Sequence, residues 1–216
     1  MTRPRQRPAR WLAVLPNVLT CSRFALTIVF VWLMSYEGVV SAWLALAVFS
    51  AAALTDWLDG WLARRWRLST PFGIFMDPFA DKVLVLSALG VFLWMNLAPV
   101  WIVIPIMARD VSVTGLRTLA ESRGISIAAI ASGKHKMISQ TVAILAVLTA
   151  QCAQYTVSAA TGLPWDTALA RLGRRGDALI ATITWLPFAL LLVALALSIW
   201  SGIEFVHRHR KLFVST

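Results

Sequence analysis

Six stretches of the chain are apolar over a length that makes each a unit: roughly residues 17–35, 40–59, 72–95, 98–117, 135–156 and 179–203. Each approaches about 20 mostly apolar residues, the length an α-helix needs to cross the hydrocarbon core of a bilayer. Polar positions between them form connections, the tightest at Asn96-Leu97-Ala98-Pro99, which predicts a hairpin of the third and fourth helices. Thr70 followed by Pro71 reads as an N-cap with proline at the first helical position, so the third helix is expected to start there. The segment Arg10-Trp11-Leu12-Ala13-Val14-Leu15 is short, apolar and basic-flanked, and predicts a helix lying in the membrane interface. The expected fold is all-α and polytopic: six transmembrane helices with a short N-terminal interfacial helix. Residues 1–16 form a basic juxtamembrane segment, 17–205 the six-helix domain and 206–216 a basic tail. The connection at 157–178 reads as an exposed loop.

Composition narrows the classes. Of the 216 residues 59% are hydrophobic and only 14% charged, and the mean hydropathy is +0.73, which excludes an ordinary soluble domain and a disordered chain. The net charge of +10 would suggest a nucleic-acid partner in a soluble protein. Here no nucleic acid is expected, because the basic residues flank apolar runs. Arg3, Arg5, Arg7 and Arg10 precede the first, and Arg64, Arg65 and Arg67 follow the second. Arg117, Arg123, Lys134 and Lys136 surround the fourth-to-fifth connection, and Arg208, Arg210 and Lys211 lie near the C-terminus. The opposite side carries Arg171, Arg174 and Arg175. By the positive-inside rule both termini face the cytoplasm. Cys21 and Cys152 lie in apolar stretches and imply no disulfide framework, and the eleven Trp residues suit interface anchoring and packing.

The acids carry the chemistry. Only ten carboxylate residues are present, and four of them, Asp56, Asp59, Asp77 and Asp81, fall within 26 positions at the ends of the second and third apolar runs. An Asp inside a membrane helix costs about 2.5–3.5 kcal/mol even on the lenient insertion scale, so four together require compensation. Asp56 and Asp59 are three apart and Asp77 and Asp81 four apart, so each pair shares a helix face. Gly60, Ala63 and Gly73 extend those faces with small residues that leave room for a bulky group near the backbone. Lys82, Arg64 and Arg23 supply part of the compensating charge. All-oxygen ligands suit Mg²⁺ or Mn²⁺, and two such ions roughly 3.5–4 Å apart form the clamp used for displacement at phosphorus. A structural ion-pair network or a cation pathway remains open on spacing alone.

Asp56-x2-Asp59-Gly60-x2-Ala63-Arg64-x8-Gly73-x3-Asp77-x3-Asp81 resembles, at all eight positions, the signature of the CDP-alcohol phosphotransferases. Five further segments are similar to the phosphatidylglycerophosphate synthase branch of that family. They are Pro16-Asn17-Val18-Leu19-Thr20-x2-Arg23, Ala108-Arg109-Asp110, Val113-Thr114-Gly115-Leu116-Arg117, Gly133-Lys134-x-Lys136 and Ser201-Gly202-Ile203-Glu204. The resemblance implies transfer of the phosphatidyl group of CDP-diacylglycerol to an alcohol with release of CMP, the alcohol in this branch being sn-glycerol 3-phosphate. It implies that Asp56, Asp59, Asp77 and Asp81 hold two divalent ions, Mg²⁺ or Mn²⁺, with Asp81 also the candidate general base. Gly60, Ala63, Arg64 and Gly73 would line the CDP site, and Asn17, Thr20 and Arg23 would support it. A multi-pass homodimer in the bacterial cytoplasmic membrane, with its active site on the cytoplasmic side, also follows from the resemblance.

An acceptor that itself carries phosphate needs a second basic site. Arg109, Arg117, Lys134 and Lys136 match the synthase pattern and are the expected acceptor-phosphate ligands, arginine binding as a bidentate fork and lysine as a point charge. Positive-inside topology accounts for Lys134 and Lys136 equally well, but not for Arg109, which follows the apolar run 101–107. The chain departs from the branch pattern at Asp110, where Glu is expected, and at Met137, where Thr is expected. Same-family enzymes using inositol phosphate, serine or phosphatidylglycerol are the neighbouring alternatives, and a cation transporter or channel the more distant one. His135, His207 and His209 read as interfacial residues without a chemical role.

Overall fold

Long apolar runs with few breaking residues leave the backbone one economical way to satisfy its own polar groups, the α-helix. The computed structural model describes the backbone of residues 10–66, 71–122 and 132–214, and the side chains of residues 21–55, 82–119 and 135–208. Among the described residues the elements are α1 (Arg10–Met34), α2 (Val39–Trp66), α3 (Pro71–Trp94), α4 (Val100–Ser122), α5 (Ser132–Thr161), α6 (Trp165–Ala170) and α7 (Arg174–Val214). α1 packs against α2 and α3, α5 against α2 and α7, and α4 against α7. The all-helical class is as expected; Pro71 is helical, and Thr70, its expected N-cap, lies outside the described residues. Among the described residues two helical segments, His135–Thr161 and Arg174–Arg208, are long and apolar enough to cross a membrane. Shorter apolar segments run through Cys21–Met34, Val39–Thr55 and Lys82–Trp94 within the described residues.

Two local expectations need correcting. The interfacial helix expected before residue 17 is not a separate element, since α1 is continuous from Arg10. Extending an existing helix through good formers such as Leu12 and Ala13 costs less than nucleating a new one. The stretch 157–178 is not an open loop: α5 runs to Thr161, α6 packs against α5 and α7, and α7 starts at Arg174. Gly162 (φ 67°) and Gly173 (φ 59°) adopt the left-handed conformation that ends a helix, and they bracket α6 between them. Ala168 and Leu169 bury its inner face. Positions 206–214, in the basic tail, continue α7, which has 41 residues. At 1.5 Å per residue it measures about 60 Å, roughly twice the hydrocarbon thickness, so it extends beyond any single crossing. The Glu204–Arg208 pair at 2.9 Å, one turn apart, supports that extension.

The hairpin between α3 and α4 is as tight as its sequence suggested. Asn96 takes φ 55°, the amide of Leu97 donates to the carbonyl of Phe92 at 2.8 Å, and that of Asn96 to Leu93 at 3.2 Å. This is a Schellman closure with Asn in the left-handed position, and Leu97 packs on the core cluster that contains Phe92.

The core is built from stripes. Phe30 of α1 and Phe49 of α2 meet at a ring-centroid distance of 5.5 Å. Ile102, Val103 and Ile106 of α4, Ala143, Ile144 and Leu148 of α5, and Leu191 and Ala194 of α7 complete the buried cluster. Among the described residues the buried positions on α2 are Ala42, Ala45, Phe49 and Ala52, and on α3 they are Leu84, Ala88, Leu89, Val91 and Phe92. Alanine at these contacts lets helix backbones approach closely, which is how helices associate where lipid removes the hydrophobic drive. The outer surface is apolar instead: Trp32, Trp43, Trp94, Trp101, Trp185 and Trp200 are all exposed. The hairpin yields the first prediction. Asn96→Gly should leave the thermal unfolding midpoint in detergent within a degree or two of wild type. Asn96→Val, forced to φ 55°, should cost about 1–2 kcal/mol. Equal midpoints for the two would contradict the assigned closure.

Candidate active site

Among the described residues, buried charge gathers around Asp110. The Asp110 side chain on α4 is wholly buried and draws cations from three helices. Lys136 of α5, itself 2% exposed, donates to Asp110 Oδ1. Arg109 NH1 donates to the same oxygen at 3.2 Å, and Lys82 of α3 lies 3.9 Å from Oδ2. Burying a carboxylate is tolerable only with such pairing, and removing one partner of a buried pair is strongly destabilising. Arg109 also reaches α7: its NH2 donates to Ser201 Oγ at 2.7 Å. The neighbouring Gly202 makes the approach possible, since a Cβ there would stand 3.2 Å from Arg109 Cγ and 3.7 Å from its Nε. One carboxylate thus ties α3, α4 and α5 together, and one arginine extends the network to α7.

The cations belong to a single cluster. Arg117, two turns along α4, is close enough for its charge to be felt at Arg109, and both Lys82 and Arg109 act on Lys136. Among the described residues one carboxylate faces four cations in this cluster. The Nε atoms of Arg109 and Arg117 are buried and have no hydrogen-bond acceptor among the described residues. Buried N–H groups of this kind are normally paired, so each is a demand for an anion or a polar oxygen. Gln140 and Ser198 are buried nearby in sequence register on α5 and α7, and the Gln140 amide nitrogen likewise lacks a partner among the described residues.

Two cavities open beside the cluster. One of about 470 Å³ lies between α3 and α4, with Lys82 and Asp110 as its charged wall and Val83, Leu86, Val111 and Leu119 as its apolar one. The other, about 200 Å³, is bounded by Arg23 of α1, Ala53 of α2, Lys82 of α3 and Gln140 of α5. Arg23 is buried at 3% exposure, and its carbonyl accepts from Thr27 Oγ1 at 2.8 Å. Met137, the residue that departs from the expected Thr, also lines the smaller cavity.

The expected site residues therefore divide. Arg109 and Lys136 meet at Asp110, Arg117 follows two turns along α4, and Arg23 shares the smaller cavity with Lys82. Lys136 is committed to Asp110 rather than open to solvent. The side chains of Asp56, Asp59, Gly60, Ala63, Arg64, Gly73, Asp77 and Asp81, and of Asn17, Thr20 and Lys134, lie outside the described residues. Their backbone positions are helical, on α2, α3, α1 and α5. Among the described residues no three His, Cys, Asp or Glu side chains form a metal-binding group. His135 is exposed, as its interfacial reading expects. Sequence reasoning matched Ser201 and Gly202 to a pattern without giving them a task; their signal was an adjacent Ser and Gly at the end of the last apolar run.

Comparison with known proteins identifies the family. Residues 13–200 match the family described as CDP-alcohol phosphatidyltransferase. A Bacillus subtilis (strain 168) protein named CDP-diacylglycerol--glycerol-3-phosphate 3-phosphatidyltransferase is 41% identical over 146 residues, 62% of this chain and 76% of its own length. A Cereibacter sphaeroides protein of the same name is 30% identical over 209 residues, covering 90% of this chain and 94% of that one. A cardiolipin synthase (CMP-forming) of Oryza sativa subsp. japonica is 30% identical over 220 residues, 94% of this chain and 59% of the rice protein.

The Arg109–Gly202 contact can be tested directly. Gly202→Ala should cost less than about 1 kcal/mol, since the arginine stem can yield by a few tenths of an ångström. Gly202→Val should cost about 1–3 kcal/mol by driving that stem off Ser201. A wild-type thermal midpoint in Gly202→Val would remove the contact from the account.

Proposed function

Because the chain belongs to the CDP-alcohol phosphatidyltransferase family, we propose that it transfers the phosphatidyl group of CDP-diacylglycerol to sn-glycerol 3-phosphate. The products are phosphatidylglycerophosphate and CMP. The observation that carries the reading is a matter of helical register. On α2 the buried positions 42, 45, 49 and 52 alternate three and four apart, and the same alternation continues at 56, 59 and 63, which are Asp, Asp and Ala. On α3 the buried positions are 84, 88, 89, 91 and 92, and at 100° per residue 81 and 77, both Asp, fall within the arc that those positions span. This register supports acid pairs turned toward the bundle interior, since lipid is the wrong solvent for them on any other face.

That donor set of four carboxylates fits hard divalent ions, and Asp56, Asp59, Asp77 and Asp81 are the residues that would hold two of them, Mg²⁺ or Mn²⁺. When bound, such ions neutralise the diphosphate and stabilise the departing CMP. The protein's own groups do the rest. Gly60, Ala63 and Gly73 leave space for the nucleotide to approach the helices, and Arg64 binds its phosphate. Asn17, Thr20 and Arg23 support this end of the site, and Arg23 and Lys82 already share a cavity with Ala53, one turn before Asp56. An acceptor hydroxyl oxygen attacks the phosphorus that bears diacylglycerol, its proton passes to the Asp81 carboxylate, and the bond to CMP breaks with the electron pair leaving on CMP. Orientation of the acceptor falls to the cationic cluster. The unpartnered Nε groups of Arg109 and Arg117, with Lys134 and Lys136, suit a phosphate monoester better than an uncharged alcohol.

On this reading the six long helices α1–α5 and α7 cross the cytoplasmic membrane, α6 rests on the far face, and both termini and the site face the cytoplasm. A homodimer belongs to the same reading, as does the division into residues 1–16, 17–205 and 206–216.

Two experiments test it. Purified protein with CDP-diacylglycerol and Mg²⁺ or Mn²⁺ should release CMP with glycerol 3-phosphate and not with inositol phosphate, serine or phosphatidylglycerol. Chelation should stop the release, and Asp56→Ala, Asp77→Ala or Asp81→Ala should lower it by about 10²-fold or more. Full activity in any of the three, or turnover only with phosphatidylglycerol, would refute the assignment. In the second, Arg117→Ala should raise the KM for glycerol 3-phosphate about tenfold while leaving that for CDP-diacylglycerol within twofold. An equal rise in both would remove the dedicated acceptor pocket.

A further inference from the structure

The acceptor cations are long side chains from different helices, and nothing in their own stereochemistry holds them at a phosphate-binding spacing. Lys82, Arg109 and Lys136 all converge on one carboxylate, and that carboxylate is at 0% side-chain exposure. We propose that Asp110 is a positioning residue for the acceptor: it holds the ammonium of Lys136 and the guanidinium of Arg109 in one register, and couples that register through Lys82 to the end of α3 that carries Asp81. The inference rests on the glycerol 3-phosphate reading above and adds the residue that organises it.

Three features support it. Asp110 spends Oδ1 on both Arg109 and Lys136, so the two cations are fixed relative to each other, not merely neutralised. The fork of Arg109 is then divided: NH1 is held by Asp110, NH2 by Ser201, and the buried Nε is left without an acceptor among the described residues. A guanidinium pinned at both terminal nitrogens has lost its rotational freedom before any ligand arrives, which is preorganisation in the sense that lowers the cost of binding. Lys82, finally, both contacts Asp110 at 3.9 Å and follows Asp81 directly in sequence. A shift of the carboxylate would therefore be felt on α3 next to the proposed base. Positive-inside topology requires none of this, since it asks only for cations near the membrane edge.

The test uses the full-length protein in detergent or nanodiscs. Asp110→Asn keeps the shape and removes the charge. It should raise the KM for glycerol 3-phosphate about tenfold and leave that for CDP-diacylglycerol within twofold. It should also abolish the thermal stabilisation by glycerol 3-phosphate while retaining that by CDP-diacylglycerol. A purely structural carboxylate would lower the active fraction, and so kcat, without separating the two KM values; that result would overturn the proposal. Asp110→Glu keeps the charge one methylene further out, and serves if the Asn variant does not fold. It should retain thermal stabilisation by both substrates and raise the glycerol 3-phosphate KM by no more than about threefold. Loss of the acceptor response in Asp110→Glu with wild-type stability would also overturn it, because a retained carboxylate would then have failed to position the cations. Wild-type protein is assayed alongside: if it does not turn over glycerol 3-phosphate at all, the acceptor assignment itself fails, which is distinct from a failure confined to the Asp110 variants.

Discussion

A carboxylate buried among apolar helices must be surrounded by cations, and in this protein that requirement organises the bundle. Among the described residues Asp110 is the buried acid, and its partners come from α3, α4 and α5. Through Arg109 the same network reaches Ser201 and Gly202 on α7. Apolar contacts between helices are interchangeable in lipid, where a side chain gains little by choosing one apolar neighbour over another. Ionic contacts are not interchangeable, because each misplacement strands a charge. The cluster therefore specifies which helices meet and in what register, while the alanine stripes and the Phe30–Phe49 contact determine how closely they meet.

The distribution of polarity follows from the same constraint. Aromatic and aliphatic side chains cover the outside, as Trp32, Trp101 and Trp200 do, and polar side chains such as Arg23, Gln140, Ser198 and Ser201 are gathered within. A water-soluble fold would reverse that arrangement. An interior that is polar at one level and apolar at another has a defined place for a charged headgroup and a separate one for hydrocarbon. The cavity between α3 and α4 has this character on a small scale, with Lys82 and Asp110 on one wall and valine and leucine on the other.

On the proposed reading the two substrates meet across a charge boundary. Acids on α2 and α3 address the diphosphate through metal ions, and cations on α4 and α5 address the acceptor phosphate directly. The two sets would neutralise each other if they collapsed together. A buried carboxylate that already engages part of the cationic set restrains that collapse and keeps arginine donors in place for an incoming anion.

Much of this was legible in the residues themselves. Helix class and the Asn96 hairpin depend on local chemistry: apolar run length and a residue that tolerates positive φ. The eight-position acidic signature was legible for the same reason, since intervals of three and four on a helix describe a face without any knowledge of its neighbours. The continuity of α1 from Arg10, the short α6 within 157–178 and the helical extension of α7 were not legible, because helix ends depend on what the next element packs against. Nor was the part played by Asp110. Its sequence neighbourhood showed only an acid beside Arg109, whereas Lys82, Lys136, Ser201 and Gly202 lie 26 or more positions away along the chain. Burial and partnership are relations between helices, and a linear pattern records which face a residue occupies but not which helix will stand opposite it.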